Sequence, residues 1–183
     1  MTSPVVIYDA NVLYPSTLRD VLIRLGLADI VTPRWTETIL DETFRNLRAN
    51  RPDLDPSVLG RTRRLMGVAI PDASITGYEY LIDDLDLPDP DDRHVLAAAL
   101  HIRAETIVTK NLRDFPRRVL DAHNARAVHP DAFLQDVHDE HPGSLPTIIR
   151  DIAVTWRSGT DVDVLASLAV EAPATSKTLS EGQ

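Results

Sequence analysis

The apolar, β-branched run Val5-Val6-Ile7-Tyr8 stops abruptly at Asp9-Ala10-Asn11, and this junction constrains the chain more than any other segment. An uninterrupted apolar run of this length reads as a strand buried on both faces, the kind that builds parallel sheets. Open parallel sheets place their sites beyond the carboxyl ends of their strands, so Asp9 is the first candidate for chemistry. A second run, Thr106-Ile107-Val108-Thr109, ends in Lys110-Asn111-Leu112-Arg113-Asp114. Helical patterns separate the two runs, and that alternation predicts an α/β fold, a parallel sheet with helices on both faces.

The remaining elements follow from apolar spacing. Leu18, Val21, Leu22 and Leu25 share one helical face after Pro15, and Gly26 is expected to close that helix. Residues 30–33 read as a short extended link. Thr36 can cap a helix whose stripe is Ile39, Leu40, Phe44 and Leu47, with Glu42 beside the stripe. A helix over 56–66 is expected next, then a short strand over 68–70, then a helix over 74–85 built on Ile75, Tyr78, Leu81 and Ile82. The run Leu87-Pro88-Asp89-Pro90-Asp91-Asp92 is a loop leading into a helix over 92–103, whose small Ala98 and Ala99 suit close packing on a sheet. A third short strand is expected over 125–129.

A length of 183 residues fits one main domain with a small appendage. Residues 1–139 read as the α/β domain, and 140–172 as a helical C-terminal extension with helices over 147–156 and 161–170. Residues 173–183, rich in Ser and Thr, read as a disordered tail. The absence of cysteine excludes disulfides, zinc ribbons and thiol catalysis. With no signal-peptide pattern and no long apolar span, the expectation is a soluble, cytoplasmic protein without membrane partners.

Acids recur where this layout brings chain segments to the sheet rim: Asp9, Glu42, the Asp89 to Asp92 cluster and Asp114. Capping of a helix start explains Asp89 or Asp92 alone. It does not explain acids from distant segments meeting at one rim, which would repel one another unless a cation neutralised them. Oxygen ligands without cysteine, and with only scattered histidines, suit Mg²⁺ or Mn²⁺ over zinc or copper. Hard ions so held serve phosphoryl hydrolysis, activating water and neutralising the leaving oxygen. Asn11 either orients a ligand or forms a turn; Thr109 reads as a hydrogen-bonding support for a carboxylate. Glu37 is the rival to Glu42 on the same helix. The formal charge of -9 argues against broad attraction to phosphate backbones, although bound cations would offset it at the pocket. The arginines are bunched near the acids, which a solvated helix face also explains. Trp35 and Trp156 are most simply packing residues. Neither a phosphate-cradling glycine loop nor a G-x-S-x-G elbow is present.

The four segments VVIYDANVL, ETILDETFRNL, LPDPDDRHVLAAAL and IVTKNLRDFP, in this order over roughly residues 4–133, resemble the PIN-domain ribonucleases, particularly bacterial VapC-type toxins. The resemblance implies a three-layer α/β/α sandwich with a central parallel sheet. It also implies RNA cleavage with Mg²⁺ or Mn²⁺ held by three or four acids. Carried over by motif position, these are Asp9, Glu42, Asp92 and, in the last segment, Asp114, with Asp9, Asp92 and Asp114 as metal ligands. The commoner pattern has an aspartate where this chain has Asn111, so Asp114 is the substitute. Asn11 and Thr109 match polar positions around the metal, while Asn111, the departure, and Asp89, acting electrostatically, are read as supporting residues. The resemblance further implies a homodimer, a small VapB-type antitoxin, and structured RNA such as tRNA or ribosomal RNA as target.

Two rivals follow from the same residues. A haloacid-dehalogenase phosphatase shares an apolar strand ending in Asp9, but it wants a second aspartate where Asn11 stands and an acidic pair after, not before, the Thr109-Lys110 step. A PIN-like domain retained for binding RNA or protein is the non-enzyme rival, and Asn111 is the residue that raises it.

Overall fold

A computed structural model describes residues 3–156 and 159–182. Its centre is a five-stranded sheet ordered β3-β2-β1-β4-β5, every neighbouring pair parallel. The strands are β1 (Val5–Tyr8), β2 (Thr32–Thr36), β3 (Ser74–Ile75), β4 (Thr106–Val108) and β5 (Arg126–Val128). Tyr8, Ile7, Ile107 and Val108 are fully buried, as strands covered on both faces require. The helices are α1 (Ala10–Leu13), α2 (Ser16–Leu27), α3 (Glu37–Asn50), α4 (Pro56–Ala69), α5 (Arg93–His101), α6 (Arg117–Leu120), α7 (Pro130–Glu140), α8 (Ser144–Thr155), α9 (Asp161–Leu168) and α10 (Pro173–Glu181). They complete a three-layer α/β/α sandwich. No helix among the described residues is long and apolar enough to cross a membrane.

Two helices set the middle of the molecule. In α5, Ala97, Ala98 and Ala99 are fully buried, and their small side chains let the helix lie close on β1, β2 and β4. Helix α2 packs on β2 through a face of Leu18, Val21, Leu22 and Leu25. Gly26 does not close α2; it lies inside it, because a side chain there would meet β2. A Cβ at Gly26 would stand 2.5 Å from Pro33 Cγ and 2.8 Å from Pro33 Cδ, and a proline ring cannot swing aside. Gly26→Ala is therefore expected to cost about 1–3 kcal/mol by overpacking, read as a lower urea midpoint at unchanged slope.

Four further local expectations fail. The second half of the link over 30–33 opens strand β2, which Pro33 disguises. Thr32 N–H donates to Pro4 O at 2.8 Å, so the next residue's missing N–H faces away from β1, and β3 pairs only from Trp35 onward. Pro33 thus occupies an edge, where it removes no ladder bond. The strand over 68–70 is absent because α4 runs on to Ala69, leaving Val68 68% exposed. The helix over 74–85 is instead β3 followed by 3₁₀ turns, separated by Gly77 at φ +80. Finally, residues 173–181 are not a disordered tail but helix α10, with Thr175, Ser176 and Leu179 buried. Its N-terminus is capped from α7: Asp131 accepts from Ala174 N–H at 3.0 Å and Thr175 N–H at 2.8 Å. A cap supplied across 43 residues leaves no local trace.

Helices α8 and α9 lie against α2, and α10 lies against α7 and α9. Their buried Leu145, Ile149, Ile152, Leu165 and Leu168 join the same apolar cluster as the sheet.

Candidate active site

In the strand order, β1 and β4 are the central neighbours at which the chain changes direction across the sheet. The crevice beyond the carboxyl ends at such a switch point is open to a ligand. Asp9 follows β1 and Thr109 follows β4, and Asp9 N–H donates to Val108 O at 3.1 Å, so the two side chains arrive side by side.

Asp9 is 3% exposed and held from three directions. It accepts from Ala10 N–H at 2.7 Å, from Asn11 Nδ2 at 2.6 Å and from Thr109 Oγ1 at 2.7 Å. The Thr109 hydroxyl in turn accepts from Asn11 Nδ2 and Asn111 N–H, each at 3.0 Å. Asn11 Oδ1 accepts from Lys110 N–H at 2.9 Å. Asn11 therefore neither forms a turn nor faces a ligand freely; it stitches the end of β1 to the end of β4. Burial raises the Asp9 carboxyl above its ordinary pKa, and the bonds from Thr109, Ala10 and Asn11 oppose that rise.

A second group of acids lies close by. One carboxylate oxygen each from Asp89, Asp92 and Asp114 falls within 4.8 Å of the others. Asp89 accepts from Asp91 N–H at 2.9 Å, so capping accounts for one of its oxygens. Asp92 makes no capping bond although it precedes α5, and its Oδ2 is buried without a partner. Burial, then the charges of Asp9, Asp89, Asp114 and Glu42, push Asp92 up to about 7. Asn111 Nδ2 donates to Asp114 Oδ2, so the residue that departs from the commoner pattern orients the substitute acid. Glu42 on α3 is half-buried and raised by burial and by Asp9, with Arg45 opposing.

Asp9, Glu42, Asp89 and Asp92 border a cleft of about 820 Å³, with Lys110 and Asn111 also on its wall and Asp114 behind Asn111. The tightest convergence is Asp89, Asp92 and Asp114, with Asp9 clamped beside it and Glu42 at the α3 wall. This differs from the expected ligand set of Asp9, Asp92 and Asp114, in which Asp89 was an electrostatic support. Glu37 does not line the cleft; Arg63 on α4 pairs with it at 2.5 Å and with Asp41, a residue of the cleft wall, at 2.6 Å. That pairing explains part of the arginine bunching as surface ion pairs. Trp35 is buried in the core.

Sequence reasoning did not single out four cleft residues: Thr38, Asp41, His94 and Lys110. His94 Nδ1 is buried and unpartnered, and burial lowers the His94 pKa. The available signal was the position of Lys110 between Thr109 and Asn111.

The donor set fits a hard divalent cation. It offers carboxylate oxygens without thiol, and one of them is a buried oxygen lacking a partner. Among the described residues, no lysine, arginine or histidine pairs with Asp9, Glu42, Asp89, Asp92 or Asp114. Acids left so crowded are destabilising unless a cation joins them.

A family model described as PIN domain matches residues 5–113, from β1 to the residue before Asp114. A stretch of 58 residues is 48% identical to "Putative ribonuclease VapC50" of Mycobacterium tuberculosis (strain ATCC 25618 / H37Rv), covering 32% of this chain and 34% of that protein. The match thus spans about a third of the curated relative's length. No solved structure matches the chain.

Proposed function

Because this chain belongs to the PIN-domain family, we propose that it is a metal-dependent endoribonuclease whose centre is the acidic cleft at the β1/β4 switch point. The observation that carries the reading is Asp92: a carboxylate raised to about 7, with a buried, unpartnered oxygen, facing acids from three other chain segments. Such an arrangement is costly for stability alone and useful for holding Mg²⁺ or Mn²⁺.

In this reading Asp89, Asp92 and Asp114 hold the ion, with Asp9 and Glu42 adding charge at its flank. A bound divalent ion supplies Lewis acidity toward a phosphate and lowers the pKa of water. The chain's own residues do the positioning. Thr109 and Asn11 hold Asp9 in place and oppose the rise that burial imposes on its carboxyl. Asn111 turns Asp114 toward Asp92. Glu42, raised above the ordinary carboxylate pKa by burial and by Asp9, faces the cleft as a candidate proton-exchanging group.

The wider setting is proposed on the likeness to the VapC relative: a toxin of a VapBC-type pair, a VapB-type antitoxin as partner, a homodimer, cytoplasmic residence, and structured RNA such as tRNA or ribosomal RNA as substrate. The binding-only alternative is disfavoured because Asn111 supports Asp114 instead of emptying the site. In the test, purified Asp9→Asn protein should keep the wild-type circular dichroism spectrum and leave total cellular RNA intact in Mg²⁺, whereas wild type cuts it at discrete ends. Wild-type cleavage by Asp9→Asn, or undiminished wild-type cleavage in EDTA, would refute the reading.

A further inference from the structure

Lys110 stands where the cleft meets the C-terminal helices. Its backbone N–H is tied to Asn11 Oδ1, which anchors the residue beside Asp9. Lys110 is among the residues lining the cleft, with Asp9, Glu42, Asp92 and Arg45. The ammonium donates to Glu171 Oε2 at 2.9 Å, and Glu171 belongs to the link between α9 and α10. The two side chains keep 34% and 18% exposure, so the pair is partly shielded while the lysine still meets solvent.

An acidic cleft that admits RNA needs cations where the phosphates pass. Among the described residues that line it, Arg45 and Lys110 carry permanent positive charge. A lysine ammonium has three donors, and Glu171 engages one here. We propose that Lys110 binds a phosphate of the RNA substrate, its ammonium using donors that the Glu171 carboxylate beside it leaves free. This inference rests on the nuclease reading.

The test measures binding of a short fluorescein-labelled single-stranded RNA to the full chain in Ca²⁺, by anisotropy over a range of salt, with cleavage in Mg²⁺ assayed separately. One lost phosphate contact on a single strand lowers the slope of log K against log salt by about 0.7. Lys110→Ala is expected to lose about that slope and to bind more weakly, and Lys110→Arg to retain both. Glu171→Gln breaks the same ion pair but leaves the cation, so it should keep the wild-type slope. A wild-type slope in Lys110→Ala overturns the proposal. So does a Glu171→Gln protein that loses as much slope as Lys110→Ala, since the pair would then act only by docking the extension. A Lys110-dependent slope in a protein that cuts no RNA would keep the phosphate contact and remove the nuclease reading. Absence of RNA binding by wild type overturns both.

Discussion

Asp92→Asn is expected to reduce RNA cleavage in Mg²⁺ by at least ~100-fold while making the metal-free protein more stable. The activity estimate follows from position. Residues that merely support a metal ligand cost about 10–100-fold when replaced, so loss of an acid in the tight triad should reach or pass the upper end. The stability gain follows from charge. Asp92 is raised to about 7 by burial and by Asp9, Asp89, Asp114 and Glu42, so ionising it in the folded state is unfavourable. A raised carboxyl means that the folded state binds the proton more tightly than the unfolded chain does. Stability is therefore fully present below the ordinary carboxylate pKa and is lost as pH rises toward about 7. Asparagine removes that loss. Discounted for its half-exposed position, the gain at pH 8 is about 1–2 kcal/mol, or roughly 2–8 °C in melting temperature. Melting curves in EDTA at pH 5 and pH 8 check this: the wild type should fall between them, and Asp92→Asn should fall less. Mn²⁺ should reverse the wild-type loss, because the ion joins the acids that repel. Equal pH profiles for the two proteins would show that Asp92 carries no such strain.

Thr109→Val is expected to damage both stability and activity, through a residue that never meets the substrate. The Thr109 hydroxyl donates to Asp9 and accepts from Asn11 and Asn111 N–H, all within the buried seam between β1 and β4. Valine has nearly the same shape but leaves a buried carboxylate short of a donor and an amide N–H short of an acceptor. Each such loss costs about 1–3 kcal/mol. With one fewer bond to its ionised form, Asp9 rises further, and cleavage should fall by about 10–100-fold with its pH dependence shifted upward. Thr109→Ser keeps the hydroxyl and should restore most of both properties. A Thr109→Ser protein as damaged as Thr109→Val would mean that the methyl packing, not the hydrogen bonds, does the work. Denaturant midpoints and cleavage rates across pH decide between them.

Much of this site was legible before any coordinates. A buried strand that ends in an acid has few places to put it, so Asp9 and the β4 terminus were readable from apolar runs alone. The Thr36 cap was equally plain: its side chain accepts from Ile39 N–H at 3.0 Å, as the local pattern required. Asp89 was harder, because a helix-start acid looks the same whether it caps, binds a cation or does both. The 3₁₀ turn at Pro90–Asp92 gives it both positions, holding one oxygen to Asp91 N–H while another oxygen or the same one meets Asp92 and Asp114. The position of Lys110 between Thr109 and Asn111 hinted at the cleft, but its ion pair was not readable, since Glu171 lies 61 positions later.

What the amino-acid order determined by itself were the features that depend on near neighbours: the apolar runs of β1 and β4, the helical stripes of α2, α3 and α5, and the set of acids at element ends. Tertiary structure alone decided the edge position that lets Pro33 sit in β2, the remote cap by which Asp131 starts α10, and the choice of Asp89 over Asp9 for the tightest triad. The division has one cause. Backbone periodicity and local capping act over a few residues, whereas edge pairing, long-range hydrogen bonds and the summed field on a buried carboxylate exist only after distant segments have been packed together.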